Sequence, residues 1–470
     1  AELLILQNTF RDAMEDAETR VVTVVGEAGV GKSRLLYEFE NWLELLPDPV
    51  LYFKGRPTPE MQAIPYGLMR DLFAARFEIR DSDRAAAVLH KFRSGMEGIL
   101  PPERADLAGH LLGFDLSASQ AVQNLLGSPS FRDLASAYLV QYLRAVAAQP
   151  TIMLLEDLHW ADDSSLDLLD RLATAIPEAR LLVVCLARPP LFERRPNWGE
   201  GREAFSLLDL KPLSRRSSRE LVAEILQRVE RVPDELRDLV VEGAEGNPFY
   251  VEELIKMLIE DGVIEHGEGE WYVQLGRLAD VRVPPSLTGV LQARLDSLPR
   301  REKAVLQRAS VVGRVFWDGT VSALEAGDEE RIAGEDLQPL LDAARGRELV
   351  FRRERSALED AQEYLFKHAV LRDVTYETVL LKLRRVYHTQ VAAWLEANAG
   401  ERLGEYASLI AGHHERAGDT AKAVGYLRRS GEESLQVSAY RDAIRAFERA
   451  LALLPADDEA GRTVLLVRLG

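Results

Sequence analysis

Cysteine is nearly absent. The 470 residues hold one, Cys185 in LLVVCLA, so no internal disulfide can form; the residue is expected in a buried strand and the chain in a reducing, cytoplasmic compartment. Long apolar runs are missing too. No stretch approaches about 18 uninterrupted apolar residues, which excludes an expected transmembrane helix and a membrane partner. Positive charge is in deficit: 58 Lys and Arg stand against 76 Asp and Glu, a net charge of −18. Such a field disfavours nonspecific binding to nucleic acid or anionic lipid, while a local basic patch stays open. The chain also lacks an initiator Met and a signal-peptide pattern at Ala1. It stops inside what reads as a helical repeat, so it is expected to be a piece of a longer protein.

What is there is globular. With 47% hydrophobic and 29% charged residues, the chain can bury cores, and its length suggests about three domains. The stretch VVTVVGEAGVGKSRLL, from Val21 to Leu36, joins a β-branched run to a glycine-rich turn and a helix start. Gly26, Glu27, Ala28, Gly29, Val30, Gly31, Lys32 and Ser33 complete a phosphate-binding loop. Glycines allow consecutive N–H groups to face phosphate oxygens, and the helix behind adds its positive dipole end. Lys32 is expected to reach the β- and γ-phosphates, Ser33 to ligate Mg²⁺, and Arg34 to follow at the cradle's edge.

A magnesium site in this setting needs a carboxylate from a neighbouring strand. In TIMLLEDLHWAD, Ile152 to Leu155 read as a buried strand whose C-terminal end carries Glu156 and Asp157. Glu156 is assigned to the metal and Asp157 as the second acid, orienting or activating water; both remain metal candidates because adjacent strand residues face opposite ways. Arg188 closes a further strand, RLLVVCLA, where a cation can sense the γ-phosphate. A surface arginine at a turn is the plainer alternative.

Strands are predicted at Val21–Gly26, Val50–Lys54, Thr151–Asp157, Arg180–Ala187 and Ala204–Leu210, with helical patterns between them and a helical insertion over about 59–149. This alternation implies a parallel sheet covered on both faces. After Leu213 the pattern turns helical. Ser214 or Ser217 offers an N-cap, Pro248 opens a helix, and Glu252 and Lys256 have favourable i,i+4 spacing. From Pro284, two helices followed by LVFRRER and EYLFKHAV suggest a winged helix. Arg352, Arg353 and Arg355 fall on its wing, diluted by Glu354 and Glu359. From Glu405, GDTAKAVGYLRRSGEESLQ and AYRDAIRAFERALALLP resemble tetratricopeptide repeats, too few here to bury a full face.

GEAGVGKSRLL, LLEDLHWAD, LLVVCLARP, EGNPFYVEEL and FKHAVLRDVTYETVL occur in that order. The set resembles STAND-class signal-transduction P-loop ATPases of the AAA+/NACHT-like lineage, found in bacterial regulators linked to nucleotide-cyclase, kinase or LuxR-type domains. The resemblance implies an α/β P-loop NTPase (1–212), an all-α lid (213–283), a winged-helix domain (284–400) and the start of a TPR-like array (401–470). It implies ATP or ADP with Mg²⁺, slow ATP hydrolysis, a sensor role for Arg188, adenine packing for Pro248, and contact of His368 with the β-phosphate of ADP. Glu156 departs from the two aspartates more usual in the family. The family's Gly-Arg-Glu loop before the first helix has no counterpart after Ala1. The expected function is a nucleotide switch acting on an effector domain outside this chain. Its repeats would take a protein or small-molecule activator, and its ATP form would self-associate. The alternative is a DNA-binding regulator or work-performing ATPase that uses the winged helix.

Overall fold

The structure, a computed structural model, describes all residues except 81–82, 129, 230–231, 267–270, 279–282, 325–333, 354–355, 357, 359–360 and 470. Glu354, Arg355 and Glu359 of the expected wing therefore lie outside the described residues.

Five parallel strands form the first sheet: β1 (Arg20–Val25), β2 (Leu51–Gly55), β3 (Thr151–Leu155), β4 (Leu181–Ala187) and β5 (Phe205–Asp209), in the order β2-β3-β4-β1-β5. β3 and β4 are buried along their whole length, as expected where both faces are covered. The alternation of side chains is clean. Val22, Val24, Ile152, Leu154, Leu182 and Val184 pack with Phe10, Leu36 and Phe39 of the helices Glu2–Glu15 and Lys32–Glu44. Val21, Met153, Leu155, Val183 and Cys185 face the other way, into a core shared with Phe73, Phe92 and Tyr142 of the helical insertion between β2 and β3. Burial pushes the Cys185 thiol up to about 12, so it is an inert core residue.

Three helices follow, Arg215–Ile225, Asp234–Ala244 and Pro248–Glu260. Ser214 caps the first by accepting from Ser217 N, and Asn247 caps the third by accepting from Tyr250 N. This helical unit carries in addition an antiparallel ribbon, β6 (Ile264–His266) and β7 (Trp271–Val273), too short to leave a periodic signal. Lys256 departs from the expected Glu252 partner. It pairs with Glu253 at 3.5 Å and with Glu348 of the next unit at 2.7 Å, so the lysine ties two units together rather than bracing one helix.

The next unit has its own core, with Phe316, Tyr364, Phe366, Leu341 and Leu395. Helices Leu287–Ser297 and Arg300–Val312 precede β8 (Val315–Trp317). β9 (Val350–Arg352) and β10 (Glu363–Phe366) complete an antiparallel sheet of order β8-β10-β9, and helices Ala369–Glu377 and Leu381–Asn398 follow. Four helices end the chain: Ala407–Ala417, Thr420–Gln436, Tyr440–Leu453 and Glu459–Leu469. Ala423, Leu427, Ala443, Phe447 and Ala450 form their shared core. These helices fold back on the first unit. Asp442 accepts from the backbone N and hydroxyl of Ser164, Arg445 Nη1 donates to Gln62 O at 3.3 Å, and Glu405 pairs with Arg70 at 2.7 Å.

Candidate nucleotide site

The glycine-rich loop leaves β1 and enters the helix Lys32–Glu44. Gly29 (φ +81°) and Gly31 (φ +106°) take left-handed backbone that other residues resist. A Cβ on Gly29 would sit 2.7 Å from Asn247 Oδ1 and 2.9 Å from Phe249 Cβ, so the position is closed to any side chain twice over. Lys32 turns back over the loop, and its Nζ donates to Gly26 O at 2.6 Å and Glu27 O at 2.8 Å. Burial, then the nearby Arg188 cation, lowers its ammonium to about 8. Val30 is buried and Glu27 exposed. Arg34 stands apart from the cradle: it faces solvent, pairs with Glu38 at 2.5 Å and covers the Tyr37 ring.

Both acids lie just beyond β3, which ends at Leu155. Ser33 Oγ donates to Glu156 Oε2 at 3.1 Å. Asp157 has left-handed backbone (φ +48°), and its side chain lies between cations of two units. There its Oδ2 accepts from Arg314 Nη1 at 2.9 Å and from Arg56 Nε at 3.3 Å. Burial alone would raise this carboxyl, but Arg314 and then Arg56 outweigh it and hold it at about 2. Arg188 follows β4 directly. Its buried Nε has no hydrogen-bond partner, and burial, offset in part by Asp157, lowers its guanidinium.

The helical unit closes the loop from above. Asn247 Nδ2 donates to Ala28 O at 3.0 Å, Phe249 N donates to Gly29 O at 3.3 Å, and Pro248 Cγ lies 4.0 Å from the point where a Gly31 Cβ would be. The His368 and Phe249 ring centroids are 3.8 Å apart. Burial and the cations Lys367, Lys256, Arg314 and Arg56 lower the His368 imidazole to about 3. It is therefore neutral near pH 7, and its buried Nε2 has no partner.

Next to the acids, the His159 and Trp160 rings pack at a tilt with centroids 5.0 Å apart. Asp162 of the same HWAD run is fully buried and accepts from Tyr66 N at 2.9 Å and Ser165 N at 2.7 Å, so it fixes the strand exit to the insertion. The structure thus gathers the loop, Glu156, Asp157, Arg188, Pro248 and His368 at one place, and leaves Arg34 outside it. Sequence reading missed Arg314, Arg56, Asn247 and Phe249. Arg314 had one signal: a lone arginine inside the apolar stretch VVGRVF, where burial demands a partner.

The donor set fits a nucleotide phosphate with magnesium. Arg188 Nε and His368 Nε2 are buried without partners, close to a glycine-rich loop that leads into a helix N-terminus. Among the described residues no cluster of three or more His, Cys, Asp or Glu could hold a metal alone. That suits Mg²⁺, which takes one or two protein oxygens and completes its shell with phosphate and water.

Residues 1–184 match the AAA ATPase domain family, and residues 214–270 match a domain of unknown function, DUF8739. The first unit is therefore an AAA ATPase domain. Over 99% of its length the chain superimposes, with a TM-score of 0.50 and 12% identity, on 56% of a Signal Transduction ATPase with Numerous Domains (STAND) protein with a tetratricopeptide repeat sensor from Pyrococcus horikoshii. The chain shares the fold of that part of the protein. An uncharacterized protein of Rhizobium meliloti is 25% identical over 448 residues, which take in 94% of this chain and 41% of that protein. The peroxide stress-activated histidine kinase mak3 of Schizosaccharomyces pombe is 23% identical over 342 residues, or 69% of this chain and 14% of that protein. The chain spans less than half the length of either relative. Among the described residues no helix is long and apolar enough to cross a membrane.

Proposed function

We propose that this chain is an adenine-nucleotide switch, whose P-loop domain (1–212) is closed by a lid (213–283), a winged helix (284–400) and TPR-like repeats (401–470). The observation that carries the reading is the Arg314–Asp157 pair. It commits the second acid to a downstream unit, a contact that reports the closed arrangement and is lost on opening.

Bound ATP with Mg²⁺ supplies the phosphoanhydride bond and the charge that distinguishes one state from the other. Lys32 and the loop N–H groups bind the phosphates, and Ser33 with Glu156 holds the metal. Asp157 orients water once Arg314 releases it, and Arg188 senses the γ-phosphate. Pro248 packs on adenine, and neutral His368 donates from Nε2 toward the β-phosphate of ADP. Hydrolysis is slow in this reading, because Asp157 is engaged in the closed state. The effector, whether cyclase, kinase or transcription regulator, lies in sequence outside this chain, and the repeats take its activator.

The DNA-reading alternative finds less support. Arg353 pairs with Glu363, and Arg352 with Gln362 at 2.6 Å, so the two wing arginines among the described residues are engaged within the β9–β10 pair. Denaturing the purified chain and identifying released nucleotide by chromatography tests the switch. Near-stoichiometric ADP supports it. No nucleotide, together with DNA affinity that falls steeply with salt, would overturn it in favour of a reader.

A further inference from the structure

A second cavity, of about 340 Å³, lies where three units meet, and no residue of the Gly26–Ser33 loop, nor Glu156 or Pro248, lines it. Trp160 comes from the HWAD loop, Arg314 and Arg372 from the unit with the β8-β10-β9 sheet, and His413, Arg416 and Arg449 from the C-terminal helices. This volume is within the range of small-molecule sites. The wall is rich in donors. Trp160 Nε1, Arg314 Nε and His413 Nε2 are all buried without a hydrogen-bond partner, and buried orphans of this kind call for an occupant. Two of the three can only donate.

The histidine belongs to a hydrogen-bonded chain. His388 Nε2 is 2.9 Å from Tyr376 Oη, and His388 Nδ1 is 2.8 Å from His413 Nδ1. Burial and nearby cations keep both rings neutral. With Tyr376 donating to His388 Nε2 and His388 Nδ1–H donating to His413 Nδ1, His413 keeps Nε2–H; with both bonds reversed, His413 Nε2 is an acceptor instead. In the first arrangement the third orphan is a donor to phosphate oxygen, and in the second it accepts from a phosphate hydroxyl.

Charge agrees. Arg372 pairs with Asp373 at 3.1 Å, and Arg449 pairs with Glu415. Arg416 has no such carboxylate: among the described residues its hydrogen bond is to Gly412 O at 3.2 Å. The wall therefore holds more guanidinium charge than its carboxylates neutralise. Donors of this number exceed what one carboxylate accepts and suit the oxygens of a phosphate monoester.

We propose that this cavity binds a small organic phosphate, held by Arg416, Arg372, Trp160 and His413. The occupant also draws on Arg314, the residue that holds Asp157, so the cavity is placed to report ligand to the nucleotide site. Binding itself stands whether or not the switch reading is correct; only that consequence rests on it.

The test is calorimetric titration of the full chain carrying Lys32→Ala, which removes the P-loop lysine from the readout. The probes are inorganic phosphate, phenyl phosphate and benzoate. Saturable phenyl phosphate binding is expected, weakened roughly tenfold by adding Arg416→Gln and roughly threefold by Trp160→Phe, which keeps the ring but removes the N–H. Binding unchanged in both variants would place the ion elsewhere and overturn the site, as would no binding at all. A benzoate response equal to that of phenyl phosphate would overturn the phosphate assignment. Because Lys32 is already absent, a failure here is separate from any failure of the nucleotide site.

Discussion

Arg314 Nη1 donates to Asp157 Oδ2 at 2.9 Å, joining positions 157 residues apart in two different units. Both side chains are largely buried. Removing one partner of such a pair leaves a charge without compensation, which costs about 3 kcal/mol, softened here by Arg56. Arg314→Gln is expected to lower stability by roughly that amount and to speed release of bound nucleotide. Denaturant melts and nucleotide dissociation rates check both, and an unchanged dissociation rate would detach Arg314 from closure.

Asp157 also sets an acid limit. Its carboxyl is held at about 2, below the ordinary value of about 4. The ionised form is favoured by folding, so its stabilisation is complete above about pH 4 and is lost as pH falls toward 2. The linkage amounts to about 2 kcal/mol. Asp157→Asn is expected to flatten this limb of stability against pH, to spare nucleotide binding and to stop turnover. Full turnover in both Asp157→Asn and Glu156→Gln would refute the acid assignments.

Lys32 predicts an alkaline limb for binding. In the free protein its ammonium is lowered to about 8, by burial first and Arg188 second. Phosphate binds the protonated form, so affinity is flat below about pH 8 and weakens by up to tenfold per pH unit above it. Equilibrium titration with a fluorescent ADP between pH 7 and 10, about two units either side of the midpoint at most, reads this directly. Lys32→Ala is expected to abolish binding at every pH; retained affinity removes the phosphate role.

The His368 ring packs at a tilt against Phe249, whose own backbone touches the loop at Gly29. With its imidazole at about 3, it contributes no titration between pH 5 and 8. His368→Phe is expected to keep the ring packing and lose only the Nε2 contact, weakening ADP more than ATP by roughly tenfold. If the ADP/ATP ratio holds in both His368→Phe and His368→Ala, the residue belongs to packing alone.

Asp442 docks the C-terminal helices on the helix Asp163–Ala175 through Ser164. Burial first, then the Asp162 charge, pushes its carboxyl up to about 7. The protonated form is the one favoured in the docked state, so docking is strongest at low pH and weakens as pH rises toward 7. Between pH 5 and 8 the repeats are expected to become more accessible to protease in the native chain, and to change little in Asp442→Asn. These limits lie on either side of the raised value of about 7.

Much of this was readable from residue order. Runs such as Ile152–Leu155 and Leu181–Ala187 announce buried parallel strands, and the loop from Gly26 to Ser33 fixes its own geometry through Gly29 and Gly31. Turn chemistry at Asn247-Pro248 marked a helix start, but not that Asn247 would also reach Ala28 O. That contact depends on how two units meet, which local pattern does not encode. Arg56 escaped for the same reason, being one arginine among many until the fold sets it against Asp157, while the apolar setting of Arg314 asks for a partner without naming it. β6 and β7 escaped because three residues are too few to show an alternation.

Arg445 meets the backbone of Gln62, 383 positions away. A loop of that size closes late, since its ends gain nothing until the intervening units are formed and arranged. What forms last on such a scaffold is commonly the first to part, at a cost well below that of unfolding any core. Tension on the C-terminus, or a partner gripping the repeats, would therefore unzip this seam before it disturbed a strand of the sheet, making the molecule a mechanical fuse as well as a chemical one.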